Sequence, residues 1–399
     1  MSLSRRAAFW LLGSAQLFLL FAASAPSPLY PVYQAHWAFS AATVTVVFAL
    51  YAIGLLLALV IVGALSDHVG RRPVLITALM VEAAAMGLFI AAGGVGWLMA
   101  ARMLQGIATG AATGAISAGL VDLQPPGKPH LGALVNSLST LLGLAAGAFG
   151  SGLLVQYAPA PTTLVYALLI AAFLGIAAVV ALMPETSARR PGALASLLPS
   201  IAVPPRIRPH FVVAAPSLVA LWALGGFFLS LGPSLTARVL DVHNHLIAGV
   251  VIAVLAGMGA VGSLALQRLE ARRILTAGSL ALAGGTAVTL VGVTAGLPAA
   301  YLLGTAVAGF GYGSSFLGAL RTVASHAAPE ERAALFATIY VVSYLAFSLP
   351  AIAAGVVSTR LGLTATTIGY GLALIALAGT ALLGLAAQRR RAVVTALAD

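Results

Sequence analysis

Gly63-Ala64-Leu65-Ser66-Asp67-His68-Val69-Gly70-Arg71-Arg72-Pro73 is a short polar stretch wedged between two long apolar runs. Those runs cover about residues 40–65 and 72–92, and each is long enough to cross a hydrocarbon core, which takes roughly 20 helical residues. A tight turn with one acid and two adjacent arginines between two such runs is a hairpin at a membrane surface. Ser40 is positioned to cap the first run, and Pro73 is expected at the first helical position of the second.

The rest of the chain has the matching composition. Hydrophobic residues make up 61%, charged residues 7%, and the mean hydropathy is +1.06. A soluble domain is roughly 45–50% apolar and about 25% charged, so this chain has too few charges to cover a water-facing surface. It is predicted to be an all-α integral membrane protein whose solvent is the lipid bilayer. There are no cysteines, which excludes disulfides and thiolate metal sites. The histidines His36, His68, His130, His210, His243, His245 and His326 fall in loops or at span ends, and no metal site is expected. No Walker motif is present. The glycines of the later apolar runs do not follow strands, so neither ATP nor a dinucleotide is implied as cofactor. An enzyme is not expected. The 43 glycines suit close helix packing in lipid.

Working outward from the hairpin, stretches of about 20 apolar residues give twelve predicted spans, at roughly 8–33, 40–65, 72–92, 96–121, 130–156, 161–182, 211–236, 244–267, 273–294, 297–322, 329–357 and 363–387. Pro329-Glu330-Glu331 opens the eleventh. Arg5-Arg6, an apolar run and Ala23-Ser24-Ala25 imitate a secretory signal. Pro26 directly after the cleavage-like site and eleven further spans favour a first transmembrane helix instead. With the N-terminus inside, seventeen basic residues fall on one side, Arg238 and Arg360 on the other, and Arg102 inside a span. This asymmetry predicts both termini in the cytoplasm, in a multi-pass protein of the cell (inner) membrane. The net charge of +11 then faces the inner membrane surface, and nucleic acid is not an expected partner.

Residues 183–210 carry six prolines and four arginines and few long apolar runs, which marks a cytoplasmic linker. It divides the chain into residues 1–182 and 211–399, with six predicted spans each. Gly262-Ser263-Leu264-Ala265-Leu266-Gln267-Arg268-Leu269-Glu270-Ala271-Arg272-Arg273, between spans 8 and 9, is a degraded echo of the first hairpin. The glycine, the leucine and the terminal arginine pair remain, and the aspartate is lost.

The opening stretch resembles the loop between transmembrane helices 2 and 3 of the major facilitator superfamily, whose pattern is G-x-L-S/A-D-x-x-G-R-R/K. Every fixed position is present. Arg102-Met103-Leu104-Gln105-Gly106 in span 4 resembles the R-x-x-Q-G element of the same superfamily. The resemblance implies two six-helix bundles, twelve transmembrane helices in all, related by a pseudo-two-fold. It also implies a central cavity lined by spans 1, 4, 7 and 10, with alternating access by rocking. By this resemblance Gly63, Asp67, Gly70, Arg71, Arg72 and Asp122 form a cytoplasmic gate. Asp67 would face the start of span 11 near residues 328–333, and Arg71 would bridge Asp67 and Asp122. The alternative is a role in folding and topology only. Span 5, Gly143 to Gly152, keeps the small-residue spacing of the exporters' G-P-x-x-G-G element but has alanine where proline is expected.

Glu82 is the acid near the middle of a span, about ten residues from each end of span 3, and a carboxyl there is stable when protonated or paired with a cation. Arg102, about 9 Å below the outer end of span 4, is the partner at comparable depth. The pair is the candidate for proton coupling. The competing readings are a structural carboxyl and a snorkelling arginine. Many drug–proton antiporters of the superfamily have a carboxylate in span 1, where this chain has Gln16. Substrate candidates are Gln16, Tyr30, Tyr51, Arg102, Gln105, Thr109 and Asn136 in the first half. In the second half they are Trp222, Phe227, Phe228, Phe310, Tyr312, Phe316, Tyr340, Tyr344 and Phe347. Such an aromatic wall suits an amphipathic small molecule, although aromatic positions at helical spacing also serve packing. Three functions remain open at this point. They are a proton-coupled exporter of small amphipathic compounds, an uncoupled facilitator or importer of a solute such as a sugar, and a non-transporting receptor or assembly factor. A monomer is expected.

Overall fold

The computed structural model describes residues 3–128, 130–188, 190–197, 202–241, 244–324 and 331–398. These residues form helices and short connections. In chain order the helices are α1 (Arg5–Ser24), α2 (Tyr30–Trp37), α3 (Ala41–Val62), α4 (Ser66–Val69), α5 (Arg71–Ile90), α6 (Val95–Leu123), α7 (Leu131–Tyr157) and α8 (Leu164–Val180). They continue with α9 (Arg208–Ser230), α10 (Gly232–Leu240), α11 (His245–Leu266), α12 (Ala271–Ala295), α13 (Pro298–Ala324), α14 (Arg332–Leu361) and α15 (Leu363–Ala398).

Each predicted span coincides with helix, and the differences have local causes. Among the described residues, ten helical stretches are long and apolar enough to cross a membrane. Leu164–Val180 is apolar but has only 17 residues, about 26 Å of helix, because the Pro161 turn delays its start. α13 is 27 residues long but diluted by glycine and serine. Span 1 is broken. Pro26 and Pro28 lack the N–H groups that the carbonyls of Ala22 and Ser24 require, so α1 stops at Ser24 and a 3-10 turn, Ser27–Leu29, leads into α2. Ser40 caps α3 by accepting from Thr43 N. Pro73 sits at the third residue of α5 rather than the first, because the helix begins directly after Gly70. Pro329 and Glu330 lie outside the described residues, and Glu331 is the N-cap of α14.

The chain divides into two units. The first comprises Met1–Ser200, Leu229–Ser234 and His243–Ala253. In it α3 and α5 pack on α6, α5 also packs on α8, and α1 packs on α7 and α6. Small residues set these distances. A Cβ on Gly106 would lie 2.1 Å from the Tyr51 carbonyl oxygen, so α3 and α6 touch backbone to backbone. The second unit comprises Ile201–Phe228, Leu235–Val242 and Val254–Asp399. Within it α12 packs on α13 and α15, and α14 on α15.

Candidate functional site

The break in span 1 organises a buried polar line inside the first unit. Carbonyls left open by the prolines and by the helix end they impose need donors, because lipid offers none. Three side chains supply them. Gln105 Nε2 donates to Ala22 O at 2.9 Å, Arg102 Nη1 to Ala23 O at 3.0 Å, and Ser151 Oγ to Ala25 O at 2.6 Å. Arg102 Nη1 also donates to Gln105 Oε1 at 2.7 Å, which fixes the amide's orientation. The Arg102 guanidinium carbon lies 4.5 Å from the Tyr51 ring centroid and 5.7 Å from that of Phe48, both on α3. Arg102 is fully buried.

One turn further along α6, the Thr109 hydroxyl lies 2.9 Å from the Gln105 carbonyl oxygen and 3.4 Å from Glu82 Oε2. Glu82 is fully buried and its Oε1 has no hydrogen-bond partner among the described residues. No direct ion pair joins Glu82 to Arg102 among these residues. Thr109 and Gln105 stand between them. Arg102 Nε and Nη2 and the Tyr30 hydroxyl are likewise buried without partners. Gln16 donates to Thr140 Oγ1 at 3.1 Å, and its Oε1 has no partner among the described residues. Asn136 is half-buried, and its Oδ1 has no partner among the described residues.

At one end of the same unit lies the hairpin. Gly70 has φ +103°, in the region that favours glycine, and its left-handed turn starts α5. Arg71 is buried between three groups. It is ion-paired to Asp67, its Nη1 donates to Ser66 Oγ at 2.7 Å, and its Nε lies 3.5 Å from Asp122 Oδ2. Arg5 Nη2 donates to the Asp122 carbonyl oxygen at 2.7 Å. Arg72 is exposed, and its Nη1 lies 3.4 Å from Met183 O. Gly63 ends α3, with its backbone against Gly114 of α6. The predicted facing segment of span 11 near residues 328–333 lies largely outside the described residues.

The second unit gathers most of its aromatic candidates. Trp222 of α9 meets Phe316 of α13 edge-on at 5.9 Å and Phe347 of α14 edge-on at 5.5 Å, with Tyr344 of α14 at 5.1 Å. Tyr340 stacks on Tyr344 at 6.4 Å. Tyr312 is buried against Gly225 and Gly259, a packing position. Phe227 turns to Tyr370 of α15 and to Phe228. Phe310 is half-buried, and no ring contact places it in the Trp222 group.

Compared with known proteins, the sequence matches the Major Facilitator Superfamily profile over residues 12–350. The chain belongs to the major facilitator superfamily. No curated relative matches it. Among solved structures, it is similar to a bacterial homologue of the human lysosomal transporter Spinster, with TM-score 0.75, 15% identity, and 96% and 97% of the two chains covered. It is also similar to the POT family transporter PepTSo, with TM-score 0.75, 10% identity, and 98% and 99% covered. The human organic anion transporter TETRAN aligns with TM-score 0.62 at 18% identity over 95% and 100%. These likenesses support the fold. This superfamily member is an all-α, multi-pass membrane transporter and not an enzyme.

Two features of the transporter escape the sequence reading. Glu185, just beyond α8, caps α5 from a distance of more than a hundred residues. Its Oε1 accepts from Arg71 N at 2.8 Å and its Oε2 from Arg72 N at 3.1 Å. Thr186 Oγ1 donates to Asp122 Oδ2 at 3.1 Å, and Ser187 Oγ to Asp67 O at 3.1 Å, so the whole Pro184–Ser187 segment clasps the hairpin. An acid three residues past the end of span 6 was the available signal. The second is Ser151, whose partner carbonyl on Ala25 is open because the helix ends there, a break that Pro26 and Pro28 foreshadow.

Proposed function

We propose that this transporter exports small amphipathic compounds in exchange for protons, by alternating access. The observation that carries this reading is the fully buried Glu82 carboxyl, which among the described residues has no ion-pair partner and one unpartnered oxygen. A buried carboxyl with no paired charge is stable when it holds a proton, and such groups in membrane spans mark proton pathways. Thr109 adds a sensor. Its hydroxyl has one hydrogen and two acceptors, the Gln105 carbonyl and Glu82. With Glu82 protonated, the hydroxyl stays on Gln105. With Glu82 ionised, the hydroxyl is drawn to the carboxylate. That change sits next to the Gln105–Arg102 pair that holds the broken end of α1, so it supplies a route from protonation to helix 1.

Asp67, Arg71 and Asp122, clasped by Glu185, are proposed as the cytoplasmic gate, with both termini cytoplasmic in the inner membrane of a monomeric protein. The Trp222 group is the proposed substrate wall. Uncoupled facilitation of a solute such as a sugar is the second reading, favoured by Glu82 being the only acid near the middle of a predicted span.

The test uses proteoliposomes loaded with a pH-sensitive dye and a panel of lipophilic cations, phenolic compounds and sugars. Substrate-driven proton flux that Glu82→Gln abolishes while binding persists supports exchange. Movement of a labelled compound without proton flux in the wild type overturns it and leaves a facilitator.

A further inference from the structure

We propose that the Trp222 group binds a neutral, ring-bearing compound with a hydrogen-bond acceptor, and that the Trp222 indole N–H is its specificity contact. This inference rests on the transport reading above and names the chemical class of its substrate.

The argument begins with an unsatisfied donor. Trp222 Nε1 is buried and has no hydrogen-bond partner among the described residues. An unpaired buried N–H costs about 1–3 kcal/mol, and it is worth keeping where a ligand supplies the acceptor. The donor is held firmly. A Cβ on Gly226 would lie 2.1 Å from the Phe347 carbonyl oxygen, so α9 and α14 meet at their backbones immediately beyond Trp222. Phe316 and Phe347 then stand edge-on to the indole, at interplanar angles of 81° and 83°. The indole itself is half-buried, as are Phe316, Tyr340 and Tyr344, so the group is not sealed inside the unit.

Charge decides between ligand classes. The acids of the second half are Asp241, Glu270, Glu330, Glu331 and Asp399, and each lies in a loop, at the chain end or in the first turn of a predicted span, none in a span's interior. A cation entering this group would meet aromatic rings but no carboxylate, and would face the positive end of the indole N–H dipole. The second-half arginines likewise lie in loops or within the first or last turn of a predicted span, so an anion would be desolvated without a counter-charge. A neutral ring stacks on the exposed faces and accepts from Trp222.

The experiment uses the full chain in detergent with Trp10→Phe, Trp37→Phe and Trp97→Phe, which leaves Trp222 as its only tryptophan. Four probes of one shape are titrated: methyl 3-phenylpropanoate, 3-phenylpropanoate, trimethyl(3-phenylpropyl)ammonium and propylbenzene. The expected result is a saturable change in Trp222 emission, tightest for the ester and about fivefold weaker for propylbenzene, with the two ions weaker still. Trp222→Phe in the wild-type background, followed by calorimetry, should weaken the ester about fivefold and leave propylbenzene unchanged, a pattern that loss of packing would not give. Equal or tighter binding of either ion overturns the proposal, as does unchanged ester affinity in Trp222→Phe or no emission change with any probe. Ester binding without ester flux in liposomes leaves the site standing and refutes the transport reading. Ester flux with silent Trp222 emission does the reverse.

Discussion

Replacing Arg102 and Gln105 by alanine, singly and together, tests the reasoning about the broken first helix. Arg102→Ala leaves the Ala23 carbonyl and Gln105 Oε1 without donors and removes the guanidinium from the Tyr51 ring 4.5 Å away. Each orphaned acceptor costs about 1–3 kcal/mol, and the lost ring contact up to about 2 kcal/mol. Relief of burying a charge offsets part of this. The expected net loss is about 3 kcal/mol. Gln105→Ala leaves Ala22 O unpaired and frees one arginine N–H, for about 2 kcal/mol. The double variant loses the 2.7 Å Arg102–Gln105 bond only once, so the singles should overshoot it by about 1.5 kcal/mol, the worth of a hydrogen bond to a charged group. Reversible unfolding in mixed micelles, followed by helical circular dichroism, measures all four corners. If the effects add to within about 0.3 kcal/mol, or if Arg102→Ala costs less than about 0.5 kcal/mol, the two residues are not a joint clamp on helix 1.

Gly70→Ala should destabilise by about 1–3 kcal/mol, since it forces a side chain into φ +103° and sets a Cβ 2.7 Å from Glu185 Oε2; a thermal melt no lower than wild type would contradict the assignment. Glu185→Ala should cost about 1 kcal/mol and speed hydrogen exchange at the Arg71 and Arg72 amides, and exchange rates equal to wild type would show that the cap is idle. Asp67→Asn should slow transport and raise accessibility of single cysteines placed on the cytoplasmic side; unchanged labelling on both faces removes Asp67 from the gate. Ser151→Ala should lose about 1 kcal/mol by stripping the donor from Ala25 O, with Ser151→Thr, which keeps a hydroxyl, recovering part of it.

The amino-acid sequence by itself determined that the chain is a helical membrane protein, where its helices lie, and which hairpin joins α3 to α5. These properties are local. Apolar length against bilayer thickness, proline and glycine punctuation and the placing of arginines are all read within a window of about 20 residues. The hairpin pattern carried the family as well, because it packs many ordered positions into one stretch, and the shorter R-x-x-Q-G element agreed with it. Tertiary structure decided the partners. Glu185 capping α5, Ser151 serving the carbonyl of Ala25, and Arg102 turned to Ala23 and Gln105 rather than to Glu82 all join residues far apart in the chain. The sequence marked the need, in Pro26 and Pro28 for lost donors and in Gly70 for an open helix start. Which side chain answers it depends on which helix faces the gap, and only helix packing specifies that. Likewise, twelve apolar runs could not tell that Trp222, Phe316, Tyr344 and Phe347 would converge while Tyr312 and Phe227 turned to other neighbours. On helices apolar all round, periodicity no longer distinguishes one face from another.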